Sequence, residues 1–289
     1  MHGLGLSHNN MSIQIKVVTH EQIDETFSTQ IQRWTKEVLD KAEFPTVPLH
    51  LCLMIWKTME KFHAFYSKEK EELGVVTGEE VDFLATHDAW RGYPRIHVCQ
   101  ERLKGIPSAV AQGAMHHEIG HAFHHGRTDF YTFRFSISLQ QAGHSHGLNL
   151  ALLQQCVYFL SIAIKDQEVV QWLAKIGLGF GQLALLGYLL SDTEEEHQAW
   201  KLARDSDGLR KIALAGFLKT LLSIEAMISV GIPEAKILRN QWDEAYGWLP
   251  EKEREGLFLF ALSIMNVETK TFQERLENAA FRLISETSL

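Results

Sequence analysis

The chain has 289 residues, with 28 Lys and Arg against 36 Asp and Glu, a net charge of −8 with histidines neutral. That length can bury a large core in one domain or two subdomains, and the acidic balance argues against a general nucleic-acid binder, whose affinity rests on neutralising phosphates. The cysteines, Cys52, Cys99 and Cys156, sit among apolar neighbours at no zinc-finger spacing, so they read as buried free thiols of a reducing compartment and the expected location is cytoplasmic.

Residues 1–11 have neither a basic start nor an apolar core and read as a flexible N-terminus, not a signal peptide. Residues 12–18 alternate Ile13, Ile15 and Val17 with polar side chains, the pattern of a half-buried strand. Helical periodicity follows over 21–42 (Ile23, Phe27, Ile31, Trp34, Val38), then Pro45 and Pro48 mark a turn. The apolar run 49–56 predicts a central strand, and the Lys/Glu-rich segment 57–73 an amphipathic helix broken by Gly74 and Gly78. Residues 81–87 and 95–101 predict two strands joined through Trp90, Gly92 and Pro94.

Pro107 and Ser108 open the next helix, which Gly126 closes. It contains His-Glu-x-x-His, with His117, Glu118 and His121. Residues four apart on a helix project from one face, so the two imidazoles can meet a single metal ion, with Glu118 beside it. Met115, Ile119, Ala122 and Phe123 lie on the far side, giving the helix an apolar back. The plainer alternative is a His-rich helix end whose imidazoles are satisfied by hydrogen bonds. His124 and His125 precede Gly126 and suit a helix C-terminus, where cations are favoured.

Beyond Gly126 no convincing strand is visible. Residues 128–139 are aromatic and ambiguous, and 141–147 read as a loop carrying His144 and His146. The apolar runs 150–164 and 176–190 fall short of the roughly twenty residues a bilayer span needs, so no membrane span is expected and both read as buried helices. Helices continue to the end, punctuated by Gly208, Gly231, Pro233 and Pro250. Ser191, Asp192, Thr193 and Glu194 read as a capping box, which accounts for the acidic run Glu194, Glu195 and Glu196 without a metal.

A catalytic zinc site needs a third protein ligand and an open position for water. With His117, Glu118 and His121 in place, the chain resembles the zincin metallopeptidases over roughly residues 82–172. The metzincin continuation does not match, since His124 stands where its Gly belongs and Arg127 where its His belongs. The gluzincin branch implies a third ligand from a Glu on a downstream helix, and Glu168 follows Val157, Ser161 and Ile164 on one apolar face, with Asp166 pointing the opposite way. An ion pair with Lys or Arg is the alternative for that carboxylate. Trp172 stands where one gluzincin pattern has an Asp that orients the first His, so the partner of His117 is unassigned.

The resemblance implies a Zn2+ peptidase held by His117, His121 and Glu168, with Glu118 as general base. It further implies an edge strand at 96–99, Ile96 to Cys99, along which a peptide or protein substrate would lie. Tyr158, Tyr188, His197 and Arg204 are candidate oxyanion donors. The alternative, from another class, is a zincin-like scaffold that binds metal or a partner without cutting. A third reading rests on the His87-Asp88 dyad used by metal-dependent phosphohydrolases, but that dyad ends a strand-like segment. The expected architecture is α+β and zincin-like. A small N-terminal sheet with helices spans 12–126, a helical half spans 127–289, and the metal site lies between them.

Overall fold

A computed structural model describes residues 3–8, 11–42, 50–75, 83–266 and 271–285, with side chains from residue 14 onward. The chain is α+β, with a five-stranded sheet near the N-terminus and helices thereafter. It divides into two compact units, Met1–Tyr131 with Ile176–Gln182, and Thr132–Lys175 with Leu183–Leu289. The first unit therefore runs past the expected boundary at Gly126 and takes in a later segment as well.

The first unit holds β1 (Gly3–His8), β2 (Met11–His20), α1 (Glu25–Lys41), β3 (His50–Trp56), α2 (Met59–Leu73), β4 (Ala85–Asp88), β5 (Arg95–Cys99), α3 (Gln100–Leu103) and α4 (Ser108–His124). Residues 3–8, expected to be flexible, instead pair antiparallel with β2. The strand order is β1-β2-β3-β5-β4, with β2, β3 and β5 parallel and β4 antiparallel to β5. All of β3 after His50 is buried, as its unbroken apolar run requires of a strand covered on both faces. Pro45, Pro48, Gly78 and the start of the strand expected from residue 81 lie outside the described residues.

This order overturns one expectation. The segment 96–99 is not an edge: β5 pairs with β3 along its length and with β4 over Arg95 to Val98, so Ile96 to Val98 is paired on both sides and offers a peptide no free edge. Among the described residues the outer strand on that side is β4.

Local chemistry sets the helices. The Asp24 side chain accepts from the Phe27 amide to cap α1, and Thr58 does the same for α2, which Gly74 ends with φ of 64°. Phe62 and Tyr66 of α2 pack with Cys52, Met54, Trp56 and Cys99, the alternate positions that share one sheet face. The helix α4 packs against α1, β4 and β5. Its Gly113 meets Gly181 so closely that an added Cβ would lie 2.1 Å from the Gly181 carbonyl oxygen. That approach explains why 176–182 belongs with the first unit.

The second unit holds α5 (Ile137–Ser145), α6 (Leu150–Lys175), most of α7 (Gly179–Leu189), α8 (Glu194–Ala203), α9 (Asp207–Ser229), α10 (Ala235–Ala245), α11 (Glu251–Met265) and α12 (Phe272–Ser285). Residues 141–145, read as loop, are helical, and the capping box does not form: Ser191 bonds to the Tyr188 carbonyl, while Asp192 accepts from the Glu194 amide. The core is the seam of α6 and α9, with Leu160, Ala163, Ile164, Leu214, Leu218 and Leu221 wholly buried. By length and composition α9 could cross a membrane, but 72% of its apolar window is buried within the protein.

Candidate metal centre

The site is assembled in the first unit on α4, β4 and the segment 176–182. Pro107 precedes α4, and the spacing of four brings His117 and His121 edge to face, with their Nε2 atoms 3.0 Å apart. Both rings are buried, His117 at 8% and His121 at 4% exposure. Met115, Ile119 and Ala122 form the buried back of the helix, as the sequence indicates.

The far nitrogen of each ring is occupied. Gln182, fully buried, donates from Nε2 to the Gly113 carbonyl at 2.9 Å, which fixes its amide orientation and turns Oε1 toward His117. His117 Nδ1 therefore carries the proton and donates to Gln182 Oε1 at 3.1 Å, which makes Nε2, 3.0 Å from His121 Nε2, the acceptor nitrogen of the ring. His121 Nδ1 lies 3.1 Å from His125 Nδ1. His125 is thus no simple helix-end residue: it is wholly buried against His121, whereas His124 is exposed. Gln182 is the partner of His117 that Trp172 left unassigned.

Glu118 takes a different contact. Its Oε2 lies 2.6 Å from His87 Nδ1, and His87 Nε2 lies 2.7 Å from the Tyr131 hydroxyl. The His87 ring stacks on His121 at 4.5 Å with an interplanar angle of 8°. Burial, with the negative charge of Glu118 and Asp88 nearby, pushes the Tyr131 phenol well above its ordinary value, so it stays protonated.

Side chains alternate across a strand. On β4, Thr86 and Asp88 share the face of His97 and Arg95, while His87 takes the face of Ile96, toward α4. The His87-Asp88 pair therefore cannot act as one metal dyad. Asp88, 1% exposed, accepts from Arg95 Nε at 2.8 Å and from His97 Nε2 at 2.7 Å, and Arg95 also pairs with Glu69. The Trp56 indole N–H donates to His97 Nδ1, which places the His97 proton on Nε2, facing Asp88. Burial alone would raise the Asp88 carboxyl, but the bonds from His97 and Arg95 outweigh it and hold the group below the usual carboxylate range. On the other side of α4, buried His116 sits 3.2 Å from Glu37, and burial lowers its pKa against the opposing effect of that carboxylate.

The second unit carries the remaining sequence candidates. Glu168 is not sealed on an apolar face. It is half-buried, and its Oε1 accepts from Arg275 Nη1 at 2.8 Å, the ion-pair alternative. The helix α6 is instead buried around most of its girth here, with Lys165, Asp166 and Gln167 all inside. Asp166, read from spacing as pointing away, is 4% exposed and meets Lys219 at 3.6 Å. Burial lowers Lys165 to about 8 against the raising effect of Asp166 and Glu168. His146 bonds Asp207 at 2.7 Å, His197 stacks on Trp248, and Arg204 is exposed beside Asp205.

The sequence reading missed His87, Tyr131 and Gln182 as members of the site. The only signals for them were the strand alternation at 86–88 and a polar residue, Gln182, inside an otherwise apolar run. Compared with protein-family models, with curated proteins and with solved structures, the chain has no match.

Proposed function

We propose that this chain is a zincin-type, zinc-dependent hydrolase of peptide bonds, with His117 and His121 as metal ligands and Glu118 as general base. The observation that carries the reading is the pair of imidazoles whose Nε2 atoms face each other at 3.0 Å while Gln182 and His125 occupy their Nδ1 sides. Two ligand nitrogens at 2.0–2.1 Å from a tetrahedral zinc lie about 3.3 Å apart, so the observed separation fits one shared ion with little movement. Imidazoles oriented from behind are the arrangement that metal-ligating histidines usually have.

A catalytic zinc site needs a third protein ligand, and for it we keep the residue that the gluzincin resemblance points to, Glu168. Glu168 is half-buried and has a short ion pair with Arg275, which it would have to give up on binding metal.

Zinc, when bound, would acidify a water molecule to a pKa near 7 and polarise a substrate carbonyl. Glu118 removes a proton from water as the water oxygen bonds to the scissile carbonyl carbon. It returns that proton to the amine nitrogen as the C–N bond breaks. An extended substrate would align along β4, the outer strand among the described residues, in place of the segment 96–99.

The test is zinc binding by chelator competition together with cleavage of a broad peptide library. The wild-type chain should cut with zinc and stop with chelator, and Glu118→Gln should keep zinc while losing turnover. Glu168→Gln should weaken zinc by at least about tenfold, and zinc affinity near wild type would remove Glu168 from the ligand set. Zinc binding without any cleavage would leave a metal-binding scaffold and reject the hydrolase.

A further inference from the structure

We infer that His87 is a positioning residue for Glu118, holding one carboxylate oxygen so that the other is presented to water. The inference rests on the hydrolase reading above and adds to it a residue outside the His-Glu-x-x-His segment. Among the described residues the Glu118 carboxylate has one hydrogen-bond partner, His87, which takes Oε2 at 2.6 Å. Oε1 is therefore the oxygen left for a substrate water, and its direction is fixed by the bond at the other oxygen.

The His87 ring is itself held from three sides. A carboxylate oxygen only accepts, so the ring carries a proton on Nδ1 and donates it to Glu118 Oε2, while Nε2 lies 2.7 Å from the Tyr131 hydroxyl. The ring stacks on His121 with an interplanar angle of 8°, which sets its plane. The strand beneath is anchored on its opposite face by Asp88, whose carboxylate accepts from both Arg95 and His97. A glutamate on a helix has three rotatable bonds, and a base displaced by about 1 Å loses on the order of 100-fold in rate. Without His87 the Glu118 carboxylate would have no described group to keep it in one rotamer.

The experiment uses the full chain loaded with zinc. Zinc affinity, kcat and KM are measured for wild type and for His87→Ala, His87→Asn and Tyr131→Phe, with circular dichroism to confirm folding. Asn is chosen because its amide N–H falls close to the imidazole Nδ1–H. We expect His87→Ala to lower kcat about 100-fold with KM and zinc affinity within about twofold of wild type. His87→Asn should recover much of the loss, and Tyr131→Phe should fall between. An unchanged kcat in His87→Ala, or a loss of zinc affinity in step with kcat, overturns the inference.

The same protein gives a readout that does not depend on turnover. The Nδ1 proton of His87, bonded to a carboxylate, should give a downfield imidazole resonance by NMR that disappears in His87→Asn and shifts in Glu118→Gln. If wild type cleaves nothing, the hydrolase reading falls on that result alone. The resonance then decides the placement of Glu118, and its absence in wild type overturns the His87 contact.

Discussion

The most informative perturbation of the site is Gln182→Met, because it removes the group behind His117 without touching either imidazole. Methionine fills nearly the same volume, and position 182 is fully buried, so the change is chiefly a loss of hydrogen bonds. Two are lost: His117 Nδ1–H to Oε1 at 3.1 Å, and Nε2–H to the Gly113 carbonyl at 2.9 Å. A buried polar group left unmade costs about 1–3 kcal/mol, and Gly113 lies within α4, so the expected destabilisation is about 2–4 kcal/mol. Loss of a ligand's outer partner typically weakens metal binding 10–100-fold, about 1.4–2.7 kcal/mol. Gln182→Glu separates the two effects: its carboxylate still accepts from His117 but cannot donate to Gly113. Zinc affinity should therefore survive in Gln182→Glu and fall in Gln182→Met, while urea denaturation shows both variants less stable than wild type. Equal zinc affinity in all three proteins, or equal losses in both variants, would refute the tautomer assignment for His117.

Asp88→Asn should destabilise the first unit by about 3 kcal/mol, because Arg95, 3% exposed, keeps Glu69 but loses a buried counter-charge; a urea midpoint shift equivalent to under about 1 kcal/mol would remove that network from the stability account. The same group sets an acid limit. The folded pKa of Asp88 is depressed below the unfolded value near 4, so its stabilisation is complete above pH of about 4 and is lost as pH falls through the depressed value. Acid titration followed by tryptophan fluorescence should show wild type unfolding with a steeper pH dependence than Asp88→Asn, and identical curves would contradict the assignment. Gly113→Ala places a methyl 2.1 Å from the Gly181 oxygen, an overlap that backbone cannot absorb locally; we expect a loss of at least about 2 kcal/mol with weaker zinc binding, and an unchanged melting temperature would show that the segment 176–182 gives way freely.

Periodicity carried the individual elements well: the alternation at 12–18, the run at 49–56 and the spacing over 57–73 correspond to β2, β3 and α2. The order of strands was beyond it. Nothing in residues 95–99 distinguishes an inner from an outer strand, because both neighbours, β3 and β4, are supplied by other parts of the chain. The half-burial of Glu168 is beyond a local reading for the same reason. Its face was read from Val157, Ser161 and Ile164, but Arg275, 107 residues later, supplies an ion pair that no local pattern foretells. Where a helix is buried around most of its girth, as α6 is at 163–167, a single apolar stripe does not say which carboxylate lies inside. His117, Glu118 and His121 were legible because their geometry is internal to one helix.

The adjacent residues His87 and Asp88 show why the rest of the site is not a motif. Read along the sequence they form a dyad, yet the two-residue period of β4 sends them to opposite faces and gives them unrelated partners. One face closes a buried ion cluster with Arg95, Glu69 and His97, which fixes the strand. The other then inherits a fixed position from which His87 can meet Glu118. A slip of one residue in the β4–β5 register would exchange the faces, bringing the Asp88 carboxylate toward Glu118 and stranding Arg95 without its counter-charge. Both consequences are unfavourable, so the ion cluster behind the sheet specifies the register that the contact of His87 with Glu118 requires.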